Sequence, residues 1–252
     1  MKLNDFEKYL NQLLKPEQIK DYAPNGLQIQ GSEQVTKIVT GVTASKALID
    51  LAIEEKADAL LVHHGYFWKN ESYVIRGMKH SRIKALIEND ISLFAYHLPL
   101  DIHSTLGNNA QLAKLLNIEV TGPLELGNSL SIAIQGQLAE LTNGSDLALL
   151  INDKLNRECL HIAPPSNKRI KTVAWCTGGG QDYIELAADQ GIDAFITGEV
   201  SEKTTHIANE MDIHFFAAGH HATERYGVKA LGEHIAKEQS LDVKFIDIDN
   251  PV

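Results

Sequence analysis

Apolar residues recur at helical spacing over residues 5–14, where Phe6, Tyr9, Leu10, Leu13 and Leu14 share one face. Pro16 marks the end of that helix. After it, short continuous apolar runs alternate with helical stretches. The runs predict main strands over 37–42, 57–62, 91–96, 171–176, 194–197, 213–218 and 243–248. The stretches between them predict helices over 45–55, 80–89, 107–116, 145–155, 182–189, 204–209 and 222–237. Thr43, Ala44 and Ser45 offer N-cap chemistry for the first of these. Shorter strands are expected at 27–31, 73–78, 131–134 and 159–162. Ala23-Pro24-Asn25-Gly26 reads as a turn and Pro164-Pro165-Ser166-Asn167 as a loop. Strand and helix alternate, which predicts an α/β layered architecture with mostly parallel sheets.

The alternation repeats. Residues 37–64 lie over 172–199 without a gap, so that Ile49, Leu51, Ala52, Asp58 and Ala59 meet Ile184, Leu186, Ala187, Asp193 and Ala194. Residues 91–95 then match 213–217. The chain is therefore expected to form two related α/β lobes, residues 1–126 and 127–252, with the C-terminal helix and strand free to pack across them. A site is expected between the lobes, because ligands of open α/β sheets favour the carboxyl ends of strands.

Candidate chemistry falls at those ends. The strand over 57–62 runs into His63, His64 and Gly65. His97-Leu98-Pro99-Leu100-Asp101 comes after another apolar run. Gly219-His220-His221-Ala222-Thr223-Glu224 places His220 and Glu224 four residues apart, so they share a face if that stretch is helical. Imidazole nitrogen and carboxylate oxygen suit divalent first-row metals. The expected ligands are His63, His64, Asp101, His220 and Glu224. The competing reading is that single histidines at strand ends are hydrogen-bonded structural residues. The repeat sets Glu199 at the position of His64 and His220 near the counterpart of His97.

Composition narrows the function. The formal net charge of −10 argues against a broad nucleic-acid surface, while a metal can still create a local positive pocket. Hydrophobic content of 44% is ordinary for a globular protein. No apolar run approaches the roughly 20 residues of a membrane span, and the first residues lack the apolar core of a signal peptide. Cys159 and Cys176, the two cysteines, form no metal-type pair and are expected to be reduced in a cytoplasmic protein.

These motifs carry a resemblance. Leu61-Val62-His63-His64-Gly65, His97 through Asp101, Leu106-Gly107-Asn108-Asn109 and Gly219 through Glu224 resemble the Nif-three-like family, also described as GTP cyclohydrolase I type 2 homologues. The resemblance is nearest to the short bacterial, YbgI-like branch. It extends from Asp21-Tyr22-Ala23-Pro24-Asn25-Gly26-Leu27-Gln28 to Phe245-Ile246-Asp247-Ile248. It implies a dinuclear metal site on His63, His64, Asp101, His220 and Glu224, with Glu224 bridging; His and carboxylate ligands suit divalent Zn, Fe, Mn, Ni or Co. It also implies two α/β lobes and a toroidal homohexamer. Many members carry Thr-Asn where this chain has Leu98-Pro99, so a polar role at those positions is not carried over.

The function expected is that of a metal-dependent hydrolase acting on GTP or a related nucleotide. The alternatives are a phosphoesterase, a damaged-nucleotide hydrolase, or a non-enzymatic metal-binding ring scaffold. His97 and Glu199 are the candidate catalytic acid/base residues, since the repeat sets both near the ligands. The equal alternative is that they orient ligand imidazoles. Thr177-Gly178-Gly179-Gly180 could receive a phosphate on its backbone N–H groups, although it lacks a Walker lysine and a plain turn is the stronger reading. Lys69, Arg76, Lys79, Lys203 and Arg225 could neutralise phosphates, with a plain solvated role as the stronger reading for most of them. Tyr66, Phe67 and Trp68 could stack on a purine, with an interface as the competing role.

Overall fold

The computed structural model describes residues 1–252. In chain order the elements are α1 (Leu3–Leu14), β1 (Gly26–Ile29), β2 (Lys37–Thr43), α2 (Lys46–Glu54), β3 (Ala59–His64), α3 (Gly77–Glu88), β4 (Ser92–Ala95) and α4 (Leu98–Asp101). They continue with α5 (Asn108–Leu116), β5 (Ile118–Pro123), β6 (Ile134–Thr142), α6 (Gly144–Leu155), β7 (Leu160–Ile162) and β8 (Ile170–Cys176). The last are α7 (Ile184–Asp189), β9 (Ala194–Thr197), α8 (Glu202–Glu210), β10 (His214–Ala217), α9 (His220–Gln239) and β11 (Asp242–Phe245). No helix is long and apolar enough to cross a membrane.

The chain forms two compact units, Met1–Gly107 with Gly227–Asp249, and Asn108–Tyr226 with Asn250–Val252. The division differs from a cut after residue 126. β5 hydrogen-bonds to β6, and Leu112, Leu116 and Ile118 lie in one core with Val173 and Trp175, so α5 and β5 belong to the second unit. β11 pairs with β2 in the first unit.

The first unit holds a five-stranded sheet of order β1-β4-β3-β2-β11, parallel except at the β1 edge. β3 is buried on both faces, so it reads as an unbroken apolar run. Its side chains still alternate. Ala59 and Leu61 pack with Phe6, Leu10, Val228 and Leu231, while Leu60 and Val62 pack with Leu48, Ile49 and Leu86. In α1 the buried residues are Leu3, Phe6, Leu10 and Leu14, and Lys15 closes the helix in the left-handed region at φ 50°. Of the N-cap candidates, Ser45 caps α2, accepting from Leu48 N–H.

The second unit holds a six-stranded sheet of order β5-β6-β8-β9-β10-β7. β8, β9 and β10 are parallel, with antiparallel strands on either side. Its faces alternate in the same way: Val173 and Trp175 pack with Leu112 and Ile151, while Ala174 and Cys176 pack with Ile184 and Phe195.

The repeat is consistent with the strand registers. Ala59 pairs with Ser92 in one sheet, and Ala194 pairs with His214 in the other. Asp58 accepts backbone N–H groups of Thr36 and Lys37, as Asp193 accepts those of Lys171 and Thr172. Each carboxylate fixes the start of its unit's first repeat strand. Removing it by Asp193→Ala leaves those donors without their acceptor and is expected to cost about 1–3 kcal/mol in chemical denaturation.

The strand expected at 73–78 does not form. Tyr73, Val74 and Ile75 are exposed with no neighbouring strand, and Gly77 opens α3 at φ +59°. After His97, Leu98–Asp101 tightens into the one-turn α4. The β5–β6 pair escapes the hydrophobic pattern over most of its length, because Glu119, Thr121, Gln135, Gln137 and Glu140 dilute its apolar positions.

A histidine pair lies in the second sheet. His161 Nε2 is 3.0 Å from His214 Nδ1, and the His161 ring stacks on Phe216 with centroids 4.4 Å apart. Burial pushes both imidazoles below their ordinary range, and the facing histidine pushes His161 further. The unfolded chain therefore binds more protons as pH falls below about 6.5, the ordinary histidine value. Stability is expected to hold above that pH and to decline below it, and His161→Phe should flatten the decline in Tm–pH profiles.

Candidate metal centre

In the first unit, the parallel pairing of β2, β3 and β4 brings three strand ends together. His63 and His64 end β3, and their ring centroids are 4.5 Å apart. His63 is fully buried, and its Nδ1 lies 3.0 Å from the carbonyl of Tyr96, just beyond β4. His64 Nδ1 lies 3.2 Å from the hydroxyl of Thr43, the last residue of β2. His97 precedes α4, and its Nδ1 lies 2.9 Å from Asp21 Oδ1. Asp101 ends α4, with Oδ1 3.4 Å from His63 Nε2. His63, His64 and His97 can each offer a ligand atom within 4.8 Å of the others.

Asp21 is held tightly. It accepts from Asn25 Nδ2 and from the N–H groups of Tyr22, Ala23 and Leu98. Burial alone would raise its carboxyl, but His97, Asn25 and Leu98 N–H outweigh burial and hold it down at about 2. Asn25 Oδ1 in turn accepts from His97 N–H at 2.7 Å. Asp21 and Asn25 therefore set His97 from both its ring and its backbone. Neither stands out in the sequence, although a closely spaced Asp and Asn beside Pro24-Gly26 is the composition of a side-chain-stabilised turn.

In the second unit, α9 starts at His220, two residues earlier than the apolar pattern predicts. The helix confirms the one-turn spacing: His220 Nε2 lies 3.1 Å from Glu224 Oε2. His220 Nδ1 lies 2.7 Å from Glu199 Oε1, just past β9. Burial alone would lower the His220 imidazole, but Glu224 and Glu199 outweigh it and hold it at about 9. Glu224 is buried against Gly178, whose φ is +67°. A side chain at Gly178 would collide with Glu224 Oε1.

The glycine run is a support for this cluster. Thr177, Gly178 and Gly180 donate their N–H groups to Asn109 Oδ1, Thr223 Oγ1 and Thr197 Oγ1. Those donors are engaged within the protein, which favours the plain-turn reading over a phosphate cradle. Several cations have partners too: Lys79 with Glu71, Lys203 with Asp182, and Arg225 with the Leu155 carbonyl.

Both donor sets fit a divalent ion chemically. Ligating imidazoles typically have their other ring nitrogen fixed by a carbonyl, hydroxyl or carboxylate, and His63, His64, His97 and His220 all do. Asp101 and Glu224 are buried carboxylates beside those rings, where charge needs compensation.

Known proteins share this chain's sequence and fold over its whole length. A Vibrio cholerae protein named GTP cyclohydrolase 1 type 2 homolog is 64% identical over 247 residues, covering 98% of each chain. The solved structure of protein ybgI, described as of unknown function, superposes with a TM-score of 0.95 at 54% identity over 100% of both chains. TTHA1606 from Thermus thermophilus superposes at 0.86 with 29% identity, again over 100% of both. The family model Duf34/NIF3 (NGG1p interacting factor 3) matches residues 1–251, and the chain belongs to that family.

Proposed function

We propose that this protein is a metal-dependent hydrolase with a dinuclear site, acting on GTP or a related nucleotide. The observation that carries the reading is the adjacent pair His63 and His64, each with its Nδ1 facing a fixed partner, beside the buried Asp101 carboxylate 3.4 Å from His63 Nε2. The relatives' name, GTP cyclohydrolase 1 type 2 homolog, supports the substrate class. His63, His64, Asp101, His220 and Glu224 are the proposed ligands of two divalent ions. Such ions lower the pKa of water and polarise a substrate for hydrolysis.

The chain's own residues orient and move protons. His97 is the proposed acid/base. With Nδ1–H donated to Asp21, Nε2 can accept a proton and return it to the leaving nitrogen. Glu199 is the other candidate for that role. Its 2.7 Å contact with His220 Nδ1 supports orientation of a ligand imidazole instead. Glu199→Gln is therefore expected to weaken metal binding by roughly 10–100-fold, the usual effect of losing such a partner. Equilibrium metal titration reads it, and a variant with normal affinity but lost turnover would return Glu199 to acid/base catalysis.

A toroidal homohexamer in the cytoplasm belongs to the same proposal. The exposed run of Tyr73, Val74, Ile75 and Met78 supports contact with a second copy. Light scattering at six times the chain mass is the expected result.

The test of function is product analysis. Metal-stripped protein is reloaded with Mn, Zn, Fe or Ni and given GTP. Hydrolysis of the guanine imidazole ring releases formate, which is the expected product. Phosphate without formate would make it a phosphoesterase, and full metal occupancy with neither product would make it a metal-binding scaffold.

A further inference from the structure

Beside the histidine trio stands a pair of aromatic rings that the proposed chemistry does not use. Tyr22 is 52% exposed, and its ring centroid lies 5.8 Å from that of Trp68, tilted by 36°. Both rings meet His97 edge-on, at 4.9 Å and 5.0 Å. Trp68 also lies 5.8 Å from His64.

Both residues are pinned. Trp68 Nε1 donates to the Gly65 carbonyl at 3.2 Å, and its N–H donates to Glu71 Oε2 at 3.1 Å. Tyr22 N–H donates to Asp21 Oδ1, and its carbonyl accepts from Lys69 N–H at 2.7 Å. The same Asp21 holds His97. One carboxylate therefore sets both the ledge and the imidazole beside it. A rigid, partly exposed aromatic surface loses little entropy on binding a flat ring.

We infer that Tyr22 and Trp68 form a stacking ledge for a planar heteroaromatic base, which sets the base of a nucleotide one ring away from His97. The identity of that nucleotide rests on the hydrolase reading, while the ledge rests on the rings themselves. Base stacking fits a chain of net charge −10, which attracts phosphates poorly except where a cation is bound.

Trp68 and Trp175 are the two tryptophans, and Trp175 is fully buried with Nε1 donating to the Asn109 carbonyl. Indole emission accessible to an external quencher therefore reports Trp68. Guanosine and GTP are expected to quench or shield that emission, and inorganic triphosphate is not. Trp68→Ala and Tyr22→Ala are expected to weaken GTP binding roughly tenfold or more, with metal content and Tm retained. Trp68→Phe should recover most of the affinity.

Guanosine leaving the emission unchanged, or both alanine variants binding GTP like the wild type, would overturn the ledge. Base-dependent binding without formate or phosphate release would leave the ledge and remove the hydrolase. Formate release with an unchanged KM in both alanine variants would do the reverse.

Discussion

Glu224→Ala is expected to abolish metal-dependent turnover. Glu224 is buried one helical turn from His220 and is one of the proposed metal ligands. Losing a partner that merely orients a ligand costs 10–100-fold, so losing a proposed ligand itself should cost activity at least about 100-fold. The helix itself should survive, because alanine is the best helix former and α9 runs on to Gln239. Thermal unfolding separates the two effects. Metal at 100 times its Kd stabilises a protein by about 2.7 kcal/mol. The wild type should gain that increment on adding metal, and Glu224→Ala should show almost none of it while unfolding cooperatively. A variant that keeps the increment would remove Glu224 from the ligand set.

Gly178→Ala is the second large effect. Gly178 adopts φ +67°, and a methyl group there would collide with Glu224 Oε1 and lie 3.1 Å from His220 Nε2. The carboxylate would have to leave its place against the loop. Metal affinity is expected to fall by roughly 10–100-fold, the usual effect of disturbing what positions a ligand. Backbone strain adds about 1–3 kcal/mol of destabilisation. Gly191→Ala is the control, because Gly191 also has a positive φ, +72°, but open space around it. It should share the strain and keep the metal affinity. Calorimetric metal titrations of the two variants separate collision from strain.

The candidate donors are legible in the sequence, and their supports are hidden there. His63, His64, His97, Asp101, His220 and Glu224 come after short apolar runs or share a helical face, and strand ends can be read from hydrophobic pattern alone. The repeat is legible too, through residues such as Asp58 and Asp193, which each receive two strand N–H groups. Asp21, Thr43 and Gly178 do not stand out for the tasks they perform. Their parts depend on contacts such as that of Asp21 with His97, 76 residues away, which no local pattern encodes. The run 73–78 misleads in the other direction: β-branched and aromatic residues read as strand, but no neighbouring strand pairs with them. Burial and partners decide strand formation more than intrinsic preference.

The most direct test of the dinuclear site is a count of metal ions per chain by elemental analysis. Protein is stripped with chelator, reloaded with Mn, Zn, Fe, Ni or Co, and freed of excess. The expected result is a pair of ions on each chain, falling together when either Asp101 or Glu224 is replaced by alanine. A folded protein that holds less than a single ion per chain with every metal, or keeps both ions in both variants, would contradict it.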